Sequence, residues 1–438
     1  MRDIGDLFSA NKEDFELRTE VIAGVTTFLA TMYIIIVNPA ILSDAGMPFS
    51  GVLVATVIVS AFSSIMMGLY AKNPIVLAPG MGLNAFFTYS VVLSGLATWE
   101  VALGAVFWSG IIFLILSVLN IRTMIVKAIP KQIRYGVAAG IGLFITFIGL
   151  MNAGFIIDNP ATLISMAELN PANITFVIGL MITAILVVKR VRGALILGIA
   201  ITTILSIPLG RLWGDPQTIL VTLPVEGIVQ MPDFSLILAL DLIGSFKLAM
   251  LPVIFAFLFT DMFDSLSTFV GVAEAGDLLD EEGEPLNVGR SLQVDAISTT
   301  ISGLLGTSAG TSYIESATGI EEGGRTGLTA VVAGLLFLPF IFFSPLLSIV
   351  PAIATAPALV LVGAFMMKPV LKIDWGNLED AIPAFLSMIL IPLTYSITQG
   401  IIWGFLSWTL IKIASGKLRE IPMMLYVIDL FAILALIV

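Results

Sequence analysis

Asp261 and Asp264 stand three residues apart in an otherwise apolar stretch, Leu258-Phe-Thr-Asp-Met-Phe-Asp-Ser-Leu266. The segment around them, Gly244 to Val272, is long enough to cross a bilayer. An ionised Asp at the centre of a membrane helix costs roughly 2.5–3.5 kcal/mol on insertion scales, so intramembrane acids mark substrate or ion pathways. At i and i+3 the two side chains share a helix face, with Thr260, Ser267 and Thr268 adding hydroxyls nearby. Two carboxylates this close in a dry site cannot both ionise, which suits reversible protonation and proton coupling. The plainer alternative for either acid is a cap or a pairing with a buried donor.

A third acid, Glu315, follows Ser312 by three residues. That spacing is a capping box, and the alternative role is to accept N–H groups from a substrate. Asn84 carries both a donor and an acceptor and could bind a ligand or serve as an N-cap. Phe86, Phe87, Phe263 and Tyr313 could offer faces to a flat ligand, though aromatic residues in such segments more often pack. These acids, one carboxamide and aromatic faces suit a neutral, planar, hydrogen-bonding solute. An anion would call for Arg or Lys in the two interrupted segments below, which have none, and Lys247 is the nearest basic residue in a span.

The elements that position these residues follow from composition. Of 438 residues, 58% are hydrophobic and 12% charged, half the charged share of a soluble domain. Repeated apolar runs of bilayer-spanning length make the chain an all-α polytopic membrane protein embedded in a lipid bilayer. The net charge of −11 gives no sign of a nucleic-acid partner. There is no cysteine and no histidine, so disulfides and thiolate metal sites are excluded and proton chemistry falls to carboxylates. No cofactor motif, metal-ligand set or catalytic nucleophile accompanies the acids, so an enzyme is not expected.

About fourteen segments can be drawn, to within a few residues at each end. The first seven run from Glu20 to Leu209, and a polar linker follows through Asp241. The second seven begin with Gly244–Val272 and Ser291–Leu305 and end with Ile401–Ala414. The apolar tail from Pro422 reads as an interfacial or packing helix rather than a further span. The basic residues Arg122, Lys127, Lys131, Arg134, Lys189, Arg190, Arg192, Lys368, Lys372, Lys412, Lys417 and Arg419 all fall on one side of the membrane under this count, with Arg211 the main exception. The positive-inside rule then puts the N-terminus in the cytoplasm and the chain in the cytoplasmic membrane. Seven is odd, so the second repeat is inserted upside down relative to the first.

Segments three and ten are interrupted. Segment three contains Pro79, Gly80 and Gly82, which stop a helix. Segment ten, Gly306-Thr-Ser-Ala-Gly-Thr-Ser-Tyr-Ile-Glu-Ser-Ala-Thr-Gly319, is too rich in small and hydroxyl residues to face lipid. Both are third in their half. Interrupted segments at matching places in inverted repeats point to a midplane binding site. Their free backbone groups are tolerable only beside protein or a water-filled cavity. Half-helices starting near Asn84 or Ser312 would also aim N–H groups at a ligand, which adds Gly310, Thr311 and Ser312 to the candidate site.

Three motifs are similar to one family. Gly80-Met-Gly-Leu-Asn-Ala-Phe86, Phe259-Thr-Asp-Met-Phe-Asp-Ser265 and Gly306–Gly319 resemble the nucleobase–cation symporter family (nucleobase–ascorbate transporters), which includes uracil and xanthine permeases. The stretch Gly323 to Thr329, Gly-Gly-Arg-Thr-Gly-Leu-Thr, resembles its adenine–guanine–hypoxanthine branch. The resemblance implies a substrate-carrying core of segments one to four and eight to eleven. It implies a gate of segments five to seven and twelve to fourteen, usually the contact of a homodimer. In residue terms the organisation becomes 1–19 cytoplasmic N-terminus, 20–210 first repeat, 211–243 extracytoplasmic linker, 244–414 second repeat and 415–438 tail. It further implies proton-coupled purine uptake, with Asn84, Asp261, Asp264 and Glu315 binding purine or supporting transport. Related permeases often have a histidine in segment eight, which this chain lacks. The alternatives are a permease of the same architecture for pyrimidines, xanthine or an anion, and a passive channel.

Overall fold

The computed structural model describes residues 8, 16–119, 129–214, 219–222, 227–276, 278–279 and 285–437. Arg122 and Lys127, used above to read orientation, lie outside the described residues. Helices or half-helices stand at all fourteen expected positions. Eight of the described helices are long and apolar enough to cross a membrane, and Met81–Val92, Ala194–Ser206 and Gly327–Phe342 are shorter apolar ones. The polytopic α-helical expectation holds, with two small antiparallel strand pairs added.

Local sequence explains where the segments bend and end. Segment one is Leu17–Thr31 followed by Ile34–Asp44. At the break, the Thr31 hydroxyl donates back to the Thr27 carbonyl at 2.9 Å, a bond that bends helices. Segment seven stops at Ser206, two residues before Pro208, which has no backbone N–H to continue the helix. Segment eight runs from Leu251 to Gly276 rather than from Gly244. Two 3-10 turns, Gly244–Phe246 and Leu248–Met250, precede it, and the α-helix begins where Pro252 can occupy its first turn. Segment nine, Val288–Leu305, ends on Gly306 in the left-handed conformation, a common helix stop.

Packing sorts the segments into two groups. Segment four lies along nine, eight packs on four, and eleven packs on one and two. Separately, segment five packs on twelve and thirteen, thirteen on fourteen, and six on seven and twelve. Contacts between the groups are fewer, chiefly five against the half-helix of three and eight against fourteen. One close approach depends on glycine: a Cβ on Gly327, at the start of segment eleven, would lie 1.9 Å from the Gly68 carbonyl oxygen. The tail helix Met423–Ile437 packs against segment fourteen, with Thr409 Oγ1 donating to Asp429 Oδ2 at 2.5 Å.

The interrupted segments meet. Strand β1 (Leu77–Pro79) of segment three pairs antiparallel with strand β4 (Gly310–Ser312) of segment ten. The register sets Leu77 opposite Ser312, Ala78 opposite Thr311 and Pro79 opposite Gly310. Gly80 N–H to the Ala309 carbonyl (2.9 Å) and Tyr313 N–H to the Val76 carbonyl (3.0 Å) extend the ladder. Backbone groups that a broken membrane helix would strand are satisfied by the other break. The second pair, β2 (Ile156–Asn159) with β3 (Leu163–Met166), is a hairpin after segment five.

Candidate functional site

Asp261 sits midway along segment eight and is fully buried. Its Oδ2 is 2.5 Å from Thr299 Oγ1 of segment nine, and its Oδ1 has no partner among the described residues. Thr299 Oγ1 is also 3.0 Å from the Gly310 carbonyl oxygen of β4. One hydroxyl hydrogen cannot serve two acceptors. If Asp261 carries a proton, it donates to Thr299, Thr299 donates to Gly310, and both bonds form.

The same buried layer holds Asp295, on segment nine. It accepts from Ser312 Oγ at 3.2 Å through Oδ1, and its Oδ2 has no partner among the described residues. Ser265 and Thr311 hydroxyls are 2.8 Å apart, and the Ser312 N–H donates to Ser265 Oγ at 3.3 Å. Thr311 and Ser312 therefore face protein through their side chains. Gly310 has no room for one, since a Cβ there would fall 2.2 Å from Ser298 Oγ.

Asp264 diverges from Asp261 despite its spacing. It lines a narrow cavity, open on one side, between segments five and eight. Phe263, Thr260 and Ser267 line it from segment eight, and Ile133, Arg134, Val137, Ala138 and Ile141 line it from segment five (Lys131–Asn152). Asp264 and Glu315 are near enough to feel one another's charge. Glu315 accepts from the Tyr33 hydroxyl at 2.9 Å. The capping box is not formed, because Ser312 lies in β4 with its hydroxyl on Asp295.

Asn84 is fully buried one turn inside a half-helix, Met81–Ala85, whose N-cap is Gly80. It is therefore not the cap. Its Nδ2 donates to Asn38 Oδ1 at 3.2 Å, and its Oδ1 has no partner among the described residues. Asn38, from segment one, also donates to Thr307 of segment ten at 2.8 Å, joining the two breaks. Phe86 packs edge-on against Phe257, with ring centres 4.9 Å apart. Tyr313 donates its hydroxyl to the Pro79 carbonyl at 2.5 Å and so ties the interrupted segments together. Of the aromatic candidates, Phe263 alone lines the cavity.

With this geometry in hand, comparison with known proteins decides the family. The family model Xan_ur_permease, described as a permease family, matches residues 18–402. The chain belongs to this family. It is 42% identical to "Adenine permease AdeP" of Escherichia coli K12, over 98% of this chain and 95% of that protein. It is 42% identical to "Guanine/hypoxanthine permease PbuG" of Bacillus subtilis, over 93% and 94%. With "Putative permease MJ0326" of Methanocaldococcus jannaschii it shares 44% over 98% and 97%. Among solved structures, the transmembrane domain of the cyanobacterial bicarbonate transporter BicA superposes with TM-score 0.63 at 17% identity, covering 89% of this chain and 97% of that one. Murine Slc26a9 gives 0.66 at 10% identity, covering 93% and 70%. At these identities the likeness shows the fold, two inverted seven-segment repeats, and nothing about the solute. The chain is a multi-pass transporter of the permease family, not an enzyme.

Two residues of the candidate site escaped the sequence. Arg134 reads as a loop residue marking the cytoplasmic side. The helix instead begins at Lys131, and Arg134 reaches into the cavity. Its guanidinium lies 5.6 Å from the centre of the Phe263 ring, and its Nε is buried without a partner among the described residues. Arg134, not Lys247, is the basic residue beside the site. The periodicity was available, since Arg134, Val137, Ala138 and Ile141 step along one helix face. Asp295 carried the same signal as Asp261, an acid inside an apolar segment.

Proposed function

We propose that this permease takes up purine nucleobases (adenine, guanine or hypoxanthine) in symport with protons, by alternating access. The observation that carries the proton is the chain Asp261–Thr299–Gly310, spaced 2.5 and 3.0 Å. With Asp261 ionised, the lone Thr299 hydrogen can serve only one of Asp261 Oδ2 and the Gly310 carbonyl; with Asp261 protonated at Oδ2, both contacts carry a hydrogen. Protonation is thereby linked to the backbone of β4, the strand that joins the interrupted segments.

The relatives named as adenine and guanine/hypoxanthine permeases support the solute. In this reading Glu315 and Asp264 accept purine N–H groups, Asn84 completes the polar set with its free Oδ1, and Phe263 supplies a stacking face. Segments one to four and eight to eleven move as a core against a gate of five to seven and twelve to fourteen. That division follows the two packing groups. The N-terminus faces the cytoplasm, and the gate forms the homodimer contact.

The test uses purified permease in liposomes with an imposed pH gradient, alkaline inside. Radiolabelled adenine, guanine or hypoxanthine accumulates, and a protonophore abolishes the accumulation. Accumulation unchanged in both Asp261→Asn and Glu315→Gln rejects the residue assignment. Equilibration without accumulation in the wild type identifies a passive channel instead.

A further inference from the structure

The cavity beside Asp264 lies toward the Lys131 end of segment five. The other end of the same interface is held shut by a set of polar bonds that transport chemistry does not use. Asn152 Nδ2 donates to Tyr89 Oη at 3.1 Å, and Tyr89 Oη donates to Asp44 Oδ2 at 2.7 Å. Asp44 ends segment one and Tyr89 lies in the π-helical turn Phe86–Val92 of segment three, both in the first packing group. Asn152 ends segment five, in the second. A parallel link runs from Ser90 Oγ to the carbonyl of Tyr395, which ends segment thirteen. The Tyr395 ring stands edge-on to Phe144 (5.3 Å), Phe147 (5.5 Å) and Tyr89 (6.4 Å). Its φ of 55° is a left-handed conformation that a bulky residue rarely holds.

Three of these contacts cross from one packing group to the other: Asn152 to Tyr89, Ser90 to Tyr395, and the Tyr89 ring to the Tyr395 ring. The Tyr89–Asp44 bond, within the first group, orients the phenol that Asn152 meets. Asp44 is exposed and Tyr89, Asn152 and Tyr395 are partly so, as the mouth of a pathway requires. A π-helical turn and a strained backbone both gather where a structure has two states. One residue inward, Thr88 is fully buried with a hydroxyl lacking any partner among the described residues.

We propose that Asp44, Tyr89, Asn152 and Tyr395 are positioning residues that latch this end closed while the Asp264 cavity is open. Their separation opens this end as the cavity closes. The proposal rests on the alternating-access reading above. The Asn152–Tyr89 bond that crosses between the groups is a neutral hydrogen bond, so losing it moves a two-state equilibrium roughly 2- to 10-fold.

The chain has no native cysteine, so single-cysteine reporters need no altered background. Thr88→Cys reports on the latched end and Ala138→Cys on the cavity, in full-length protein in lipid nanodiscs, labelled with a charged methanethiosulfonate. The expected pattern is slow labelling of the first reporter and fast labelling of the second. Adding Tyr89→Phe, which keeps the ring and removes the oxygen that Asn152 donates to, raises the first rate roughly 2- to 10-fold and lowers the second. Asn152→Ala acts in the same direction. Two unchanged rates overturn the proposal, and so do two raised rates, which mean a loosened fold. Labelling requires no substrate, so a reciprocal shift in protein that takes up no purine defeats the solute assignment and leaves the latch standing.

Discussion

The guanidinium of Arg134 lies 5.6 Å from the centre of the Phe263 ring, and Asp264, the adjacent residue, lines the same cavity. Cation, aromatic face and acid thus meet where segments five and eight separate. An arginine only donates, and the buried Nε has no acceptor among the described residues, so a purine entering here supplies one. Arg134→Gln removes the cation over the ring, a contact worth about 0.5–2 kcal/mol, and should weaken half-saturation of purine uptake roughly 2- to 30-fold. Arg134→Lys should recover part of the loss, because a point charge replaces a planar fork. Unaltered half-saturation in both variants would show that Arg134 serves the cavity wall alone.

Gly310 tests the joint between the interrupted segments. A Cβ there would lie 2.2 Å from Ser298 Oγ, 3.1 Å from Ser302 Oγ and 3.2 Å from Val59 Cγ1. Gly310→Ala therefore overpacks a closed layer and should cost about 1–3 kcal/mol, read as a lower melting temperature in detergent. Ser298→Ala alone removes the acceptor of the Ser63 hydroxyl and should also destabilise. Combined, the two should cost less than the sum of the singles, because the second removes the atom the first strikes. Strict additivity would refute the clash.

The two breaks were legible because Pro, Gly and hydroxyl residues cannot continue a lipid-facing helix, whatever surrounds them. Their matching places in inverted halves pointed to a midplane binding site. That they meet as paired strands was hidden, since three-residue strands such as Leu77–Pro79 have no periodicity to read. Asp261 and Asp264 were conspicuous by cost, but a spacing of three on one helix does not say which neighbour each faces. Asp261 turned to segment nine and Asp264 to segment five, a division set by tertiary packing. Arg134 was misread because charge at a helix end serves equally as a topology signal and as a cavity residue.

A separate prediction concerns pH. Ser50 Oγ donates to Asp233 Oδ2 at 2.6 Å, and the Ser235 N–H donates to Oδ1 at 2.9 Å. The Ser50 hydroxyl above all holds this linker carboxyl below its ordinary range. A depressed folded value stabilises the fold above the ordinary Asp pKa of about 3.9, and that contribution fades as pH falls through the lower folded value. Asp233→Asn should therefore melt below the wild type near neutral pH, and the gap should narrow on acidification. The effect is small because the group is largely solvated. A gap that widens in acid would contradict the sign.

The sharpest test of coupling is Asp261→Asn. An asparagine amide donates to Thr299 Oγ1 as a protonated carboxyl would, leaving Thr299 free to donate to the Gly310 carbonyl. The variant copies the protonated state and cannot leave it. It should fold and bind purine, and should exchange labelled for unlabelled purine across a liposome membrane in counterflow. It should not accumulate purine against a gradient when a pH difference is imposed, since no proton is released on the return step. Asp261→Ala should lose both activities, because it supplies neither donor nor acceptor to Thr299. If Asp261→Asn still accumulates purine and a protonophore still collapses that accumulation, the transported proton rides on another group, and Asp264 and Glu315 become the acids to substitute next.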